Sequence, residues 1–451
     1  MLIGFDGSRA FSKDRTGTEN YSFQLLKALA EIDHKNQYIV YLRPGANVGI
    51  ARSAALNFPR SSLRKFAHLD LRIPSSHDEF IWPENFQFKV IKWSWLWTQV
   101  GLAKQTFHDK LDVLFIPAHT SPLIHQPGLK TVVTVHDLGA EYLPKMHQIK
   151  QRLYLKWITN YQLKNATKLI AVSKATKDDL VKRIGIDQNR VKIVYESYNT
   201  DLTRSEVGDT LANSLRQFDL KPQQYFLFVG TIQPRKNLER LIKAFVSVIP
   251  LKEGIQLAGR IDVRDSKLDN EIGNLKLDQT SDIKLLSPSS NSLLDPRIRE
   301  DDHLKLVIVG SKGWLADEIY ALPKKLGIED QVKFLGRVDD AQLPALYSGA
   351  IALTFPSLFE GFGLPILEAQ ALGCPVITSN ISAMPEVAGK GAILVDPYSE
   401  KDILRGIREI GDSEFRGNSS REKLIKAGKE NVKRFSWEKA AKETLEALEA
   451  V

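Results

Sequence analysis

Sulfur is scarce in this chain: its 451 residues include one cysteine, Cys374, and three methionines. A single cysteine excludes an internal disulfide and fits a reducing compartment. No uninterrupted apolar run approaches the ~20 residues needed to span a bilayer. The opening Met1-Leu2-Ile3-Gly4-Phe5-Asp6 reads as a strand, not as the basic-then-apolar start of a signal peptide. A cytoplasmic protein is the expectation. Several chemistries also lack their residues. No His/Cys set has zinc-ligand spacing. No Gly-x4-Gly-Lys-Ser/Thr loop or Gly-x-Ser-x-Gly elbow occurs. No Asp-x-Asp falls at a strand end, so a metal clamp on a diphosphate is not indicated.

What is present is ordinary globular composition, with 43% hydrophobic and 26% charged residues. The length exceeds one ordinary domain, so two or three are expected. A net charge of +8 is compatible with nucleic acid, an anionic membrane surface, a polyanionic small substrate, or simply a basic soluble surface.

Short apolar runs alternate with helix-period segments. Leu2–Phe5, Tyr38–Leu42, Val113–Ile116, Thr131–Val135, Lys168–Val172 and Val191–Tyr195 read as buried strands, with Tyr21–Ile32 and Lys174–Arg183 as helices between them. Such alternation gives parallel sheets covered by helices. A polar stretch, 201–224, reads as a linker, and a second series follows: Tyr225–Val229, Leu304–Val309, Val332–Leu335, Ile351–Thr354, Pro375–Thr378 and Ala392–Val395. The expected organisation is therefore a domain over 1–200, a second over 225–435, and a terminal amphipathic helix over 436–451 with Ser436 as N-cap. Both domains are α/β, Rossmann-like doubly wound parallel sheets facing a shared cleft, with ligands beyond the carboxyl ends of the strands. Residues 252–303 break the rhythm and read as a polar insertion or, alternatively, as a specialised lid or arm.

Pro356-Ser357-Leu358-Phe359-Glu360-Gly361-Phe362-Gly363-Leu364-Pro365-Ile366-Leu367-Glu368-Ala369 leaves a strand and enters a helix. Gly361 and Gly363 allow close backbone approach to a ligand, and Pro365 suits a helix start. The amides there, at the positive end of the helix dipole, make a site for an anion such as phosphate. Glu360 falls in the loop and Glu368 in the first helical turn; the Glu-Gly-Phe-Gly-Leu-Pro-x-x-Glu-Ala setting makes the pair specific, with helix-capping acids at a tight turn as the alternative. Between another strand and helix lies Gly230-Thr231-Ile232-Gln233-Pro234-Arg235-Lys236-Asn237. Gly230 permits a sharp exit, while Arg235 and Lys236 offer a planar fork and a point charge for a diphosphate, or form a solvated basic turn. In the first half, Gly17 and Thr18 sit in a strand-to-helix loop, and His119 and His136-Asp137 follow two further strands. Those histidines are either structural or catalytic.

Together these segments resemble glycosyltransferase family 4 over most of the chain, most strongly from Tyr225 onward outside 252–303. The resemblance implies a GT-B fold and a retaining, metal-independent hexosyltransferase needing no cofactor beyond its nucleotide-sugar substrate. It places the donor nucleotide on the C-terminal domain and the acceptor mainly on the N-terminal one. The final helix of such enzymes crosses back to the N-terminal domain. By motif, Glu360 would contact the donor sugar, Glu368 the ribose hydroxyls, and Arg235 and Lys236 the diphosphate. Amides near Gly17 and Gly363-Leu364 would help, the backbone around Gly336-Arg337-Val338 would meet the nucleobase, and His136 would lie beside the reacting sugar and acceptor. His119 and Asp137 belong to the acceptor side. Fixed positive charge stabilises a departing diphosphate directly. The Gly-Thr-x-x-Pro-Arg-Lys-Asn form is similar to mannosyltransferase-like members, which suggests GDP-mannose as donor. One segment departs from the family: Tyr195-Glu196-Ser197-Tyr198-Asn199 stands where many relatives carry Pro-Asn-Gly-Val-Asp.

Lys89 to Trp97 interleaves cations with Trp93, Trp95 and Trp97, and Met146 to Lys168 does so with Tyr154, Trp157 and Tyr161. Such stretches suit either an anionic membrane interface, near a polyprenyl-linked saccharide acceptor, or ordinary aromatic core faces. Nucleic acid is not an expected ligand, for no reading module appears. Two rival functions stay open: a same-fold synthase acting on a small sugar or sugar phosphate, and a catalytically silent binding protein.

Overall fold

The structure, a computed structural model, describes residues 1–12, 17–46, 80–93, 95–118, 120–138, 160–200, 202, 210–249, 304–411 and 419–451. They form two compact units. One comprises Met1–Tyr198, Phe359–Leu364 and Lys433–Val451, the other Asn199–Leu358 and Pro365–Val432. The expected insertion, 252–303, lies outside the described residues.

The first unit holds a parallel sheet ordered β3-β2-β1-β4-β5-β6-β7. Its strands are β1 (Leu2–Asp6), β2 (Gln37–Leu42), β3 (Phe86–Val90), β4 (Val113–Ile116), β5 (Lys130–Val135), β6 (Lys168–Ala171) and β7 (Val191–Ile193). Alternate side chains enter different cores. Ile3, Phe5, Val113, Phe115 and Val132 join one, and Leu114, Ile116, Val133 and Val135 the other. Both faces are therefore buried, which is why these strands read as unbroken apolar runs.

The Gly17–Ile32 helix turns Tyr21, Leu25, Leu26, Ala28 and Leu29 inward, the spacing of an amphipathic helix. The terminal helix, Trp437–Glu449, packs in the same core through Ala440, Ala441, Ala447 and Leu448. Ser436 Oγ caps it by accepting from the Lys439 amide at 3.1 Å, and Lys192 Nζ reaches Glu446 at 2.8 Å.

The second unit holds a parallel sheet ordered β10-β9-β8-β11-β12-β13. These strands are β8 (Tyr225–Val229), β9 (Lys305–Val309), β10 (Val332–Gly336), β11 (Ala352–Phe355), β12 (Val376–Ser379) and β13 (Ile393–Val395). Two opposing strand orders of this kind are the doubly wound α/β pattern.

Three local features differ from the sequence reading. Phe86–Val90 is an added edge strand, and Lys89 within it is bound by Asp109 at 2.6 and 2.8 Å. The segment expected as one helix from Lys174 divides into an α-helix, Lys174–Asp179, and a π-helical turn, Leu180–Ile184. The stretch 201–224 is more than a tether: it carries the helix Thr210–Arg216, whose Leu215 is fully buried.

Candidate active site

The glycine-lined turn after β8 builds one part of the site. Gly230 and Gly310 have φ of 148° and 151°, values that side chains with a Cβ rarely adopt. A Cβ on Gly310 would lie 2.0 Å from the Gly230 carbonyl oxygen, so the exits of β8 and β9 run backbone against backbone. Gly310 N–H donates to Gly336 O at 2.8 Å, bringing the end of β10 into the same row. There Arg337 is exposed and Val338 half-buried.

Pro234–Lys236 forms a 3₁₀ turn, and Asn237, in the left-handed conformation, starts the Leu238–Val246 helix. Its buried side-chain amide donates to the carbonyls of Pro356 at 3.0 Å and Pro397 at 2.7 Å. The Leu358 amide donates to Arg235 O at 2.8 Å. The basic turn is thus fastened to the loop after β11 by Asn237 and by backbone. Lys236 is buried, with Nζ 4.7 Å from the Phe355 ring centroid, a cation–π contact that keeps the charge inside the protein. Arg235 beside it is half-buried.

Glu368 lies on the Leu364–Ala371 helix and accepts from the Tyr347 hydroxyl at 2.7 Å. Burial pushes its carboxyl up to about 6, with Asp340 adding to the rise and the Tyr347 hydrogen bond opposing it. Tyr347 is fully buried, so this acceptor satisfies a hydroxyl that otherwise lacks water. Burial and the neighbouring carboxylate hold the tyrosine hydroxyl well above its ordinary range.

In the first unit, His136 follows β5 and is largely enclosed. Its Nδ1 lies 2.8 Å from Glu196 Oε1 and its Nε2 2.8 Å from Pro117 O. Tyr21 stands edge-on to the ring at 4.6 Å. Burial pulls the imidazole down, but Glu196, Pro117 O and Asp137 together raise it above its ordinary value. Thr176 Oγ1 lies 3.4 Å from His136 O and 3.3 Å from Gly361 O. A Cβ at Gly361 would sit 1.7 Å from His136 O, so only glycine allows this approach. Phe362 beside it joins Tyr195 and Phe435 in an aromatic cluster, with centroids 6.3 and 5.7 Å away. Glu360 and Phe362 are buried, and Gly363 has φ 110° just before the helix.

The residues expected from sequence therefore fall in two groups. Gly230, Arg235, Lys236, Arg337, Val338 and Glu368 occupy strand exits or the adjoining helix of the second unit. His136, Asp137, Glu360, Gly361, Phe362, Gly363 and Leu364 belong to the first. Gly17 and Thr18 are not in a free loop; they are the first residues of the Gly17–Ile32 helix, Gly17 exposed and Thr18 half-buried. His119 lies outside the described residues, as does most of the aromatic stretch from Met146. Sequence reasoning passed over Glu196 as a ligand of His136, Tyr347 as the donor to Glu368, and Asn237 as the fastener of two loops. Each is a pairing between residues far apart in sequence, with no local signal for its partner.

Residues 15–202 match the family described as Glycosyltransferase Family 4, and residues 292–431 that described as Glycosyl transferases group 1. The O-antigen chain mannosyltransferase B of Escherichia coli is 26% identical over 318 residues, which cover 70% of this chain and 70% of that one. The O-antigen chain mannosyltransferase RfbU of Salmonella typhimurium is 27% identical over 305 residues, 67% of this chain and 66% of that one. Among solved structures, Anabaena Alr3699/HepE in complex with UDP and glucose superposes with a TM-score of 0.62 at 16% identity, covering 100% of both chains. With two parallel sheets of the same design and both halves matched by sequence, the chain belongs to glycosyltransferase family 4, and it is a group 1 glycosyltransferase of the GT-B fold.

Proposed function

We propose that this glycosyltransferase moves a mannosyl group from GDP-mannose to a saccharide or polyprenyl-linked saccharide, with retention of configuration and without a metal ion. The observation that carries the reading is the basic turn after β8. Lys236 is buried against Phe355, and the Arg235 carbonyl is bound by the Leu358 amide at 2.8 Å. Fixed cations at a strand exit are suited to a pyrophosphate leaving group, because they need no reorganisation as its charge develops. In this reading Arg235 and Lys236 hold the diphosphate. Glu360 and the Gly361-Phe362-Gly363-Leu364 backbone meet the sugar, Glu368 the ribose, and Arg337-Val338 the base. Gly17 and Thr18 supply amides from the first helix, and His136, Asp137 and His119 serve the acceptor side. Mannose as the donor sugar is supported by the mannosyltransferases among the relatives, at 26% and 27% identity.

Among the described residues no helix is long and apolar enough to cross a membrane. Exposed Trp93 and Trp95 beside Lys92 support peripheral contact with an anionic membrane near a lipid-linked acceptor.

The test is a thermal-shift panel of GDP-mannose, UDP-glucose, UDP-galactose and UDP-N-acetylglucosamine, followed by assay of nucleoside diphosphate release. A ligand that binds only the folded protein raises its melting temperature by mass action. GDP-mannose is expected to give the largest rise and the fastest release, both lost in Lys236→Met. Stabilisation by a uridine donor alone refutes the donor assignment. No response to any donor favours a silent binding protein.

A further inference from the structure

We propose that Glu196 is a positioning residue that orients His136 and keeps both of its ring nitrogens protonated, so that one side chain ties together the exits of β4, β5 and β7. Glu196 stands in the segment that departs from the family pattern, three residues after β7, and only 4% of it is exposed. A carboxylate so enclosed needs a cation or several donors to offset its desolvation, and His136 Nδ1 lies 2.8 Å away. The other ring nitrogen faces the Pro117 carbonyl at 2.8 Å, immediately after β4. A carboxylate and a carbonyl both only accept hydrogen bonds, whereas a neutral imidazole carries one N–H. The arrangement is therefore satisfied in full only by imidazolium. The raised ionisation of His136 agrees, with Glu196 the largest of the favourable causes.

Asp137 also acts on this ring. Tyr21, from the Gly17–Ile32 helix, stands edge-on with its hydroxyl 3.2 Å from Thr134 Oγ1. The Thr176 hydroxyl and the Gly361 backbone, next to Glu360, lie against the His136 backbone carbonyl. The consequence for catalysis rests on the function proposed above. Gly361 lies directly against the His136 carbonyl, so loss of the Glu196 tie shifts the support under the Glu360-Gly361 turn. His136 then acts as a fixed cation and scaffold, not as a proton acceptor, in this state.

Nitrogen NMR of the full-length protein labelled with ¹⁵N-histidine tests the charge directly, with His136→Asn assigning the signal. At about pH 7.5, where an ordinary imidazole is neutral, both His136 nitrogens are expected to be protonated. In Glu196→Gln the ring is expected to become a single neutral tautomer. A neutral His136 in the unaltered protein overturns the proposal.

Kinetically, Glu196→Gln is expected to lower kcat about 10- to 100-fold, the scale of a small misplacement. Donor KM is expected to change little and the alkaline limb of the pH profile to move to lower pH, with Glu196→Asp restoring much of the rate. A folded Glu196→Gln enzyme with unchanged kcat and pH profile also overturns it. If the unaltered protein turns over no nucleotide sugar, the functional reading fails, and the NMR result alone decides the role of Glu196. The same result decides it if Glu196→Gln does not fold.

Discussion

The hydroxyl of Tyr347 donates to Glu368 Oε2 at 2.7 Å, joining a buried phenol to a carboxylate that titrates near 6. A carboxyl raised in this way binds its proton more tightly folded than unfolded. Its ionisation therefore costs stability, increasingly as pH rises from about 4.5 to about 6, and by a constant amount above. Glu368→Gln keeps an acceptor for Tyr347 and removes the charge. The variant is expected to be more stable than the parent by about 1–2 kcal/mol near pH 8, with the gap closing toward pH ~4.5. Denaturant unfolding at both pH values checks this. In the same variant donor affinity is expected to fall, since a carboxylate accepts from ribose hydroxyls more strongly than an amide oxygen does.

Removing the charge of Lys236 while keeping its length separates its packing over Phe355 from its electrostatic role. Lys236→Met is expected to leave the melting temperature near that of the parent. Donor affinity should weaken about 10- to 100-fold, the scale of one hydrogen bond to a charged group. Titration calorimetry with the nucleoside diphosphate measures it, and equal affinity would remove Lys236 from the diphosphate site.

Asn237 makes two demands at one position: a left-handed backbone at φ 61° and two side-chain donors for buried carbonyls. Glycine meets the first demand and alanine neither. The expected order of stability is Asn, then Gly, then Ala. The step to Gly should cost about 2–4 kcal/mol for two orphaned acceptors, read from the midpoint of chemical unfolding.

Gly310→Ala brings a methyl group within 2.0 Å of a carbonyl oxygen in a backbone conformation side chains disfavour. The strand exits must separate to admit it, which is expected to lower stability by about 1–3 kcal/mol. Donor KM should rise with it, because Gly230 and Gly336 move too. Gly45 also has positive φ but open space around it, so Gly45→Ala is the control for conformational strain without collision.

Trp93 and Trp95 are 51% and 75% exposed, whereas Trp97, two residues on, is 2% exposed. Replacing both exposed indoles with alanine is expected to reduce partitioning onto phosphatidylglycerol vesicles about 10-fold or more, the scale of burying large apolar side chains. Rates on a soluble acceptor should be untouched. Sedimentation with vesicles resolves the two outcomes.

The architecture was readable because strands buried on both faces leave a plain trace. Lys130–Val135 is Lys-Thr-Val-Val-Thr-Val, and five of its six residues are buried. The edge strand Phe86–Val90 left no such trace: its burial is partial, and Lys89 gave it the look of a basic surface. The Thr210–Arg216 helix was hidden for a similar reason, being short and polar, with Leu215 buried as an anchor. At the site, glycines that tolerate close backbone approach were legible from their spacing, since a Gly-rich strand exit has few other uses. Pairings across long sequence separations were not. Nothing local in Tyr347 or Glu196 announces a carboxylate 21 residues away or an imidazole 60 residues away.

The tie through His136 has an evolutionary corollary. Three of the seven strand exits in the first sheet meet at that ring, so altering any one of them strains the other two. Grafting loops from relatives onto this sheet should therefore fail at any one of the tied exits unless all three are exchanged together.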